Sequence, residues 1–502
     1  MNVGIDLGTT NSLISYLTPQ GIPALFPDRN NLNLFHTLST IAIHQNHTLV
    51  GQPAEEIGEE FPEIPVARLM KLHVGSEITW TDAHGQIWPM NALFGVILHK
   101  LITDAQIFSH EAIESTVITV PAHFGDTQRK AILEAAAISG IDNASLLDEP
   151  VAAALFYGVP QGKEQTILVY DLGGGSFNAA ILQTSPDGLY VLANSGFPRI
   201  GGKFFDQHVR DLIIKQLKVE GVMQNVNEAE HDPLLWKTAE ELKIKIGCSP
   251  SGRISKTIFI GGLPHEFVLT RRQLDDIIRD DIEKTIQTCR LCLMNASLGW
   301  SDIDRILLVG GSSLLPLVQA RIREESGKPR DSIQVEQPHL VVAYGAALHA
   351  AQMAGEKNST PRFRQGCASQ ALGLMVHDNK TGQAKFTPLI HRNAPLPTSV
   401  KRTFFTNRPN QTRIVLELAQ VDEEDRLPKS LGHFIFDGIK NPHKNYPIEV
   451  TLNYNLDGTI VASANDQVTG KTMEHTISNP GQTQQADIWK WRQHISKLMI
   501  NE

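Results

Sequence analysis

The sequence predicts an α/β protein of two related lobes, followed by an all-β sandwich and a short C-terminal helix. Three observations carry this. Over the first ~350 residues, short apolar runs alternate with amphipathic stretches, the pattern of layered strands and helices. Two strand ends, Asp6-Leu7-Gly8 and Asp171-Leu172-Gly173, repeat the same residues and point to an internal duplication. Beyond Gly355 the composition shifts to strict alternation between turn signals.

In chain order, Thr116 to Val120, Thr166 to Tyr170 and Arg305 to Val309 are short continuous apolar runs, as expected of strands buried on both faces. Thr127 to Ser139 and Asp275 to Asn295 are rich in helix formers, with apolar residues three and four apart. The first unit is placed at residues 1–355. The segment 356–366 is polar and aperiodic, and reads as a linker. Residues 367–480 alternate at Arg413 to Leu418, Ile448 to Tyr454 and Thr459 to Ala464, with turns at Leu456-Asp457-Gly458 and Val468-Thr469-Gly470. The last segment, 481–502, carries Ile488, Trp491, Ile495, Leu498 and Met499 at spacings that put them on one helical face.

The 502 residues allow about three domains, and 41% hydrophobic content argues against wholesale disorder. A net charge of −9 and a pI near 6.1 argue against a nucleic-acid binder. No run of ~18 apolar residues is present, so no membrane partner is expected. The start lacks a basic region followed by an apolar core, which argues against a signal peptide and for a cytoplasmic protein. Four cysteines are too few for a disulfide framework, and Cys289-x-x-Cys292 has no second pair for zinc, so both read as core thiols.

The chemistry lies in three glycine junctions: Gly8-Thr9-Thr10-Asn11 after Asp6, Gly173-Gly174-Gly175-Ser176 after Asp171, and Gly310-Gly311-Ser312 after Val309. Glycines after a strand let backbone N–H groups approach phosphate oxygens. One such loop alone reads as a tight turn. Two matched loops, each with an aspartate at the strand end, point to two lobes offering donors to one polyphosphate. A carboxylate repels phosphate, so Asp6 and Asp171 make sense as ligands of Mg²⁺, through water. Neither a G-x-x-x-x-G-K-[ST] loop nor a G-x-S-x-G elbow occurs.

With Val117 to Asp126, Leu147 to Pro150 and Ser430 to Phe434, these motifs resemble the heat-shock protein 70 (DnaK-type) chaperones along nearly the whole chain. Gly75-Ser76-x-x-Thr79-Trp80 resembles the HscC branch most, here with a truncated lid. The resemblance implies an actin-like two-lobed ATPase using ATP/ADP and Mg, and a sandwich that binds unfolded or extended polypeptide clients. It further implies a J-domain co-chaperone and a nucleotide exchange factor. By the same resemblance Lys71, Glu149, Asp171, Asp6 and Ser176 serve hydrolysis, and Asp6 and Asp171 serve the metal. Gly8, Thr9, Thr10, Asn11, Gly173, Gly174, Gly175, Gly201, Gly202, Gly310, Gly311 and Ser312 would hold phosphates, with Glu240 and Lys243 at the nucleoside. Pro121 and Arg129 match a relay between the domains. Leu374, Val376, His377, Phe404, Phe405, Asn407, Ile414 and Leu416 match the peptide cleft, although their alternation equally suits a plain core.

The chain departs from this pattern at Asn178, Leu314, His339 and Ser145, which stand where the family has Asp, Arg, Asp and Arg. These changes imply a slow ATPase. The polar stretch Phe363-Arg364-Gln365-Gly366, replacing aliphatic residues, implies weak interdomain coupling. Two other classes fit the glycine loops: an actin-like small-molecule kinase, and a non-hydrolysing nucleotide-binding client module. A kinase should end soon after the third glycine loop, and the alternating region beyond residue 366 argues against it.

Overall fold

The computed structural model describes residues 1–44, 47–158, 164–222, 228–356, 361–377, 383–421, 427–440, 443–455, 458–476 and 485–501. Two sheets of matching topology organise the first 355 residues. In the first, the strand order is Ala144–Asp148, Ser115–Val120, Asn2–Leu7, Asn11–Leu17, Pro23–Leu25. In the second it is Ile333–Gln334, Arg305–Val309, Gln165–Leu172, Ser176–Ser185, Gly188–Pro198. In both, the strand carrying the aspartate pairs antiparallel with the strand after its glycine turn and parallel with a crossover strand. The duplication read from Asp-Leu-Gly is thus a duplication of sheet order.

Each sheet carries its own core. Lobe 1 packs Val3, Ile5, Phe94, Ile97 and Ile132 together, and lobe 2 packs Leu168, Phe177, Phe205, Ile278 and Ile306. The helix Met90–Ser109 is long and apolar enough to cross a bilayer, but 67% of its apolar window is buried inside the protein. The helices Glu149–Tyr157 and Val341–Met353 pack on each other, and the second also covers the strand Asn2–Leu7. This stack brings the two glycine turns face to face.

Residues 367–476 form two four-stranded sheets among the described residues, with Leu372, Leu418, Phe436, Val450 and Ala462 buried between them. The alternation read at 413–418 and 448–454 becomes the strands Arg413–Val421 and Pro447–Tyr454. Residues 456–457 of the expected turn lie outside the described residues, as do 477–484.

Two expectations are corrected. The linker reading of 356–366 fails over its second part: Phe363–Cys367 is a strand that extends the lobe 2 sheet, with Leu189 opposite Phe363 and Tyr190 opposite Gln365. Strand addition uses backbone groups, so it needs none of the aliphatic side chains missing here. Phe363 packs on the core beneath it, and Arg364 Nε donates to Asp187 O at 2.8 Å. Residues 357–360 lie outside the described residues. The reading of 481–502 as one helix is corrected too. The helix spans Gln485–Ile495, and Met499–Ile500 is a strand parallel to His47–Val50 of lobe 1. Leu498 and Met499 therefore do not share the helical face of Ile488 and Ile495. Helix and strand lie against lobe 1. Trp491 meets Trp88 with ring centroids 4.7 Å apart, and Ile495 is fully buried in the lobe 1 core.

Candidate functional site

The two glycine turns meet across the interlobe cleft. A Cβ at Gly174 would stand 2.2 Å from Thr10 Oγ1, so only glycine permits this approach. The cleft is lined by Asp6, Gly8, Thr9, Thr10, Asn11, Lys71, Glu149, Asp171, Gly173, Gly174, Ser176, Gly310 and Gly311, all expected from sequence, together with Asn178, Pro338 and His339. Residues from six separated stretches of chain thus converge on one surface.

The charges concentrate at its base. Lys71 Nζ donates to Glu149 Oε1 at 2.7 Å, and both side chains are buried. Lys71 sits on the short 3₁₀ turn Met70–His73, entered through Leu69 at φ 55°, a left-handed conformation that costs a leucine roughly 1–2 kcal/mol. Met70, 2% exposed, anchors that turn in the lobe 1 core. Glu149 begins the helix Glu149–Tyr157, where its charge suits the N-terminal dipole.

Burial pushes the Asp6 carboxyl up to about 6, while Lys71 pulls it down and Glu149 adds to the rise. Asp171 is held well above the ordinary carboxylate range by burial, and then by the charges of Glu149 and Asp6. Three carboxylates and one lysine leave a negative excess in a water-poor base, which a divalent cation would relieve. Among the described residues no three His, Cys, Asp or Glu side chains converge closely enough to hold a metal directly. A hydrated Mg²⁺, reached by Asp6 and Asp171 through water, fits these residues. Asn11 Oδ1, buried with no hydrogen-bond partner, adds a polar atom awaiting a ligand in the cleft wall.

Several of the residues expected at the phosphates also brace the triple-glycine loop. Gly202 N donates to Gly173 O at 3.0 Å, Lys203 N to Gly174 O at 2.8 Å, and Ser312 Oγ to Gly173 O at 2.8 Å. Gly202 and Ser312 thus hold the triple-glycine loop from behind, with Gly201 packed against it and Gly175 against Thr9. Lys243 Nζ is bound to Gly202 O at 2.9 Å and Asp206 Oδ1 at 2.7 Å, and Glu240 pairs with Lys203 at 2.9 Å. One helix, Glu228–Cys248, carries both of these residues, which were expected at the nucleoside. Leu314 is 43% exposed.

Sequence reasoning passed over His123. It lies inside the stretch Val117 to Asp126, but nothing in its spacing marks it as the partner of Asn178, whose Oδ1 is 2.5 Å from His123 Nδ1. Arg129, expected in a relay between the domains, binds the Asp148 carboxylate and donates from Nε to Phe124 O at 3.0 Å. That same carbonyl accepts from Ser369 Oγ of the sandwich at 3.0 Å.

The expected peptide residues divide. Leu374, 1% exposed, and Leu416, 7% exposed, belong to the sandwich core and are not offered to an outside chain in this conformation. Val376, Phe404 and Ile414 are half-buried at its edge, and Phe405 and Asn407 are exposed. The side chain of His377 lies outside the described residues. A family model described as Hsp70 protein matches residues 55–502 of this chain.

Proposed function

Because this chain belongs to the Hsp70 family of ATP-binding chaperones, we propose that it binds Mg·ATP between two actin-like lobes, hydrolyses it slowly, and holds extended apolar peptide segments in its sandwich. The observation that carries the reading is the cleft itself: two facing glycine turns above a base of Asp6, Asp171, Glu149 and Lys71. Phosphoryl transfer needs positioning and charge stabilisation more than a strong nucleophile, and this set supplies both. Lys71 is the group for the attacking water and the terminal phosphate. Asp6 and Asp171 would hold the metal, whose charge offsets that of the phosphates. The proposal extends to membership of the HscC branch and to a cytoplasmic location. It includes a J-domain co-chaperone and a nucleotide exchange factor as partners, on the likeness to the family.

Weak coupling between nucleotide and peptide remains part of the proposal, but for a new reason. The sandwich is held from both ends, by Phe363–Cys367 on lobe 2 and by Met499–Ile500 on lobe 1. A ligand moves such an equilibrium only by its differential affinity for the two states. A non-hydrolysing nucleotide-binding client module is the second reading, favoured by Asn178 beside Asp171. A single-turnover ATPase assay with and without an extended apolar peptide separates them. Measurable cleavage supports the chaperone ATPase; tight ATP binding without cleavage favours the module; phosphate transfer to an added small molecule would favour a kinase.

A further inference from the structure

Asn178 stands on the strand Ser176–Ser185, opposite Asp171 on one side and Gly196 on the other. It is 2% exposed and lines the cleft. Its Oδ1 meets His123 Nδ1 at 2.5 Å. A carboxamide oxygen only accepts, so the imidazole contributes an N–H at Nδ1. With the oxygen committed to His123, the opposite end of the amide, an NH₂ with two donors, is the end left for the cleft.

Two features hold the imidazole in place. A Cβ at position 196 would stand 2.6 Å from His123 Nδ1, so glycine there is what admits the ring. On another side the ring packs edge-on against Phe124, with centroids 5.5 Å apart at 88°.

We propose that His123 is a positioning residue that fixes the Asn178 carboxamide, so that position 178 presents an N–H donor to the phosphate end of a bound nucleoside triphosphate. The proposal rests on the nucleotide reading above and deepens it. A donor at 178 meets a phosphate oxygen favourably. Drawing a proton from an attacking water, or accepting one from metal-bound water, requires an acceptor, which this orientation withholds. The pair therefore favours holding the triphosphate over cleaving it.

The test is calorimetric titration of the full chain with Mg·ATP and with Mg·ADP, comparing wild type with His123→Ala, His123→Gln, Asn178→Ala and the double His123→Ala/Asn178→Ala variant. His123→Ala is expected to weaken ATP binding about five- to tenfold, the size of one ordinary hydrogen bond, and to change ADP binding less than about twofold. His123→Gln, which keeps a donor, should recover most of that loss. In the Asn178→Ala background, His123→Ala should cost nothing further. Equal losses for both nucleotides, or an undiminished loss in the Asn178→Ala background, would overturn the proposal. A second readout needs no alanine variant: in ¹⁵N-histidine NMR of wild type, identified by the resonance missing in His123→Gln, Nδ1 must carry a proton. A bare Nδ1 overturns it. A wild type that binds neither nucleotide ends the nucleotide reading together with this one, whereas normal binding with an additive cycle ends this one alone.

Discussion

Lys71 sets the balance of the site, because its ammonium faces Glu149 in a base that also holds Asp6 and Asp171. Lys71→Ala should abolish hydrolysis, a loss of about 3 kcal/mol of transition-state stabilisation, while Mg·ADP still binds. Rapid-quench turnover and calorimetric affinity measured side by side check this; parallel loss of both would make Lys71 a structural residue. Asn178→Asp puts an acceptor at position 178 and should raise kcat in single-turnover assays. A variant slower than wild type would remove Asn178 as the cause of slow turnover. The residues of the cleft were legible because each glycine turn and its aspartate are contiguous in sequence. His123 was not, since its meaning depends on Gly196, which lies 73 positions away and makes room for it.

At the scale of elements, the C-terminal segment is part of lobe 1. Ile495 and Ile500 lie in its core, Arg492 binds both oxygens of Asp142 at 2.5 and 3.0 Å, and Arg29 Nη2 donates to Ile500 O at 2.9 Å. Asn501 closes the strap by receiving Val50 N at 2.7 Å and donating to Val50 O at 2.9 Å. Ile495→Ala should therefore destabilise lobe 1 by about 2–5 kcal/mol, the range for emptying a core aliphatic site. Thermal and urea unfolding of the full chain check this. An unchanged melting curve would mean that the segment merely rests on the surface. The helical face of Ile488, Trp491 and Ile495 was readable from spacing. The strand that follows was not, because two residues carry too little pattern to reveal a partner some 450 positions away.

For the whole molecule, the contact between lobe 1 and the sandwich turns on Asp126. Its carboxylate accepts from Gln420 Nε2 at 2.6 Å and Tyr454 Oη at 2.9 Å, with Arg129 nearby. Burial pushes this carboxyl from its ordinary 3.8 up to about 6. Docking therefore takes up a proton: the stabilisation is fully present below the ordinary value and is lost as pH rises through 6. Energy transfer between dyes on lobe 1 and the sandwich should report tighter docking at pH 5 than at pH 7. Asp126→Asn should flatten that dependence, and an unchanged slope in this variant would assign the effect elsewhere. Held at both ends, the sandwich should release peptide in ATP less than tenfold faster than in ADP. A larger ratio in a stopped-flow dissociation experiment would show that the tethers yield to nucleotide.

By itself the sequence determined the alternation of layers, the duplicated Asp-Leu-Gly turn, the cleft-lining glycines and the shift to a β region beyond Gly355. All of these are local: a period, a composition or a turn written in consecutive residues. Tertiary structure decided which supports stand behind the triple-glycine loop, and which lobe each end of the sandwich is tied to. It decided also that Phe363 to Cys367, polar as it is, lies as a strand. Backbone hydrogen bonds join two chain segments without asking for particular side chains, so their pairing leaves little trace in sequence until both edges are in place.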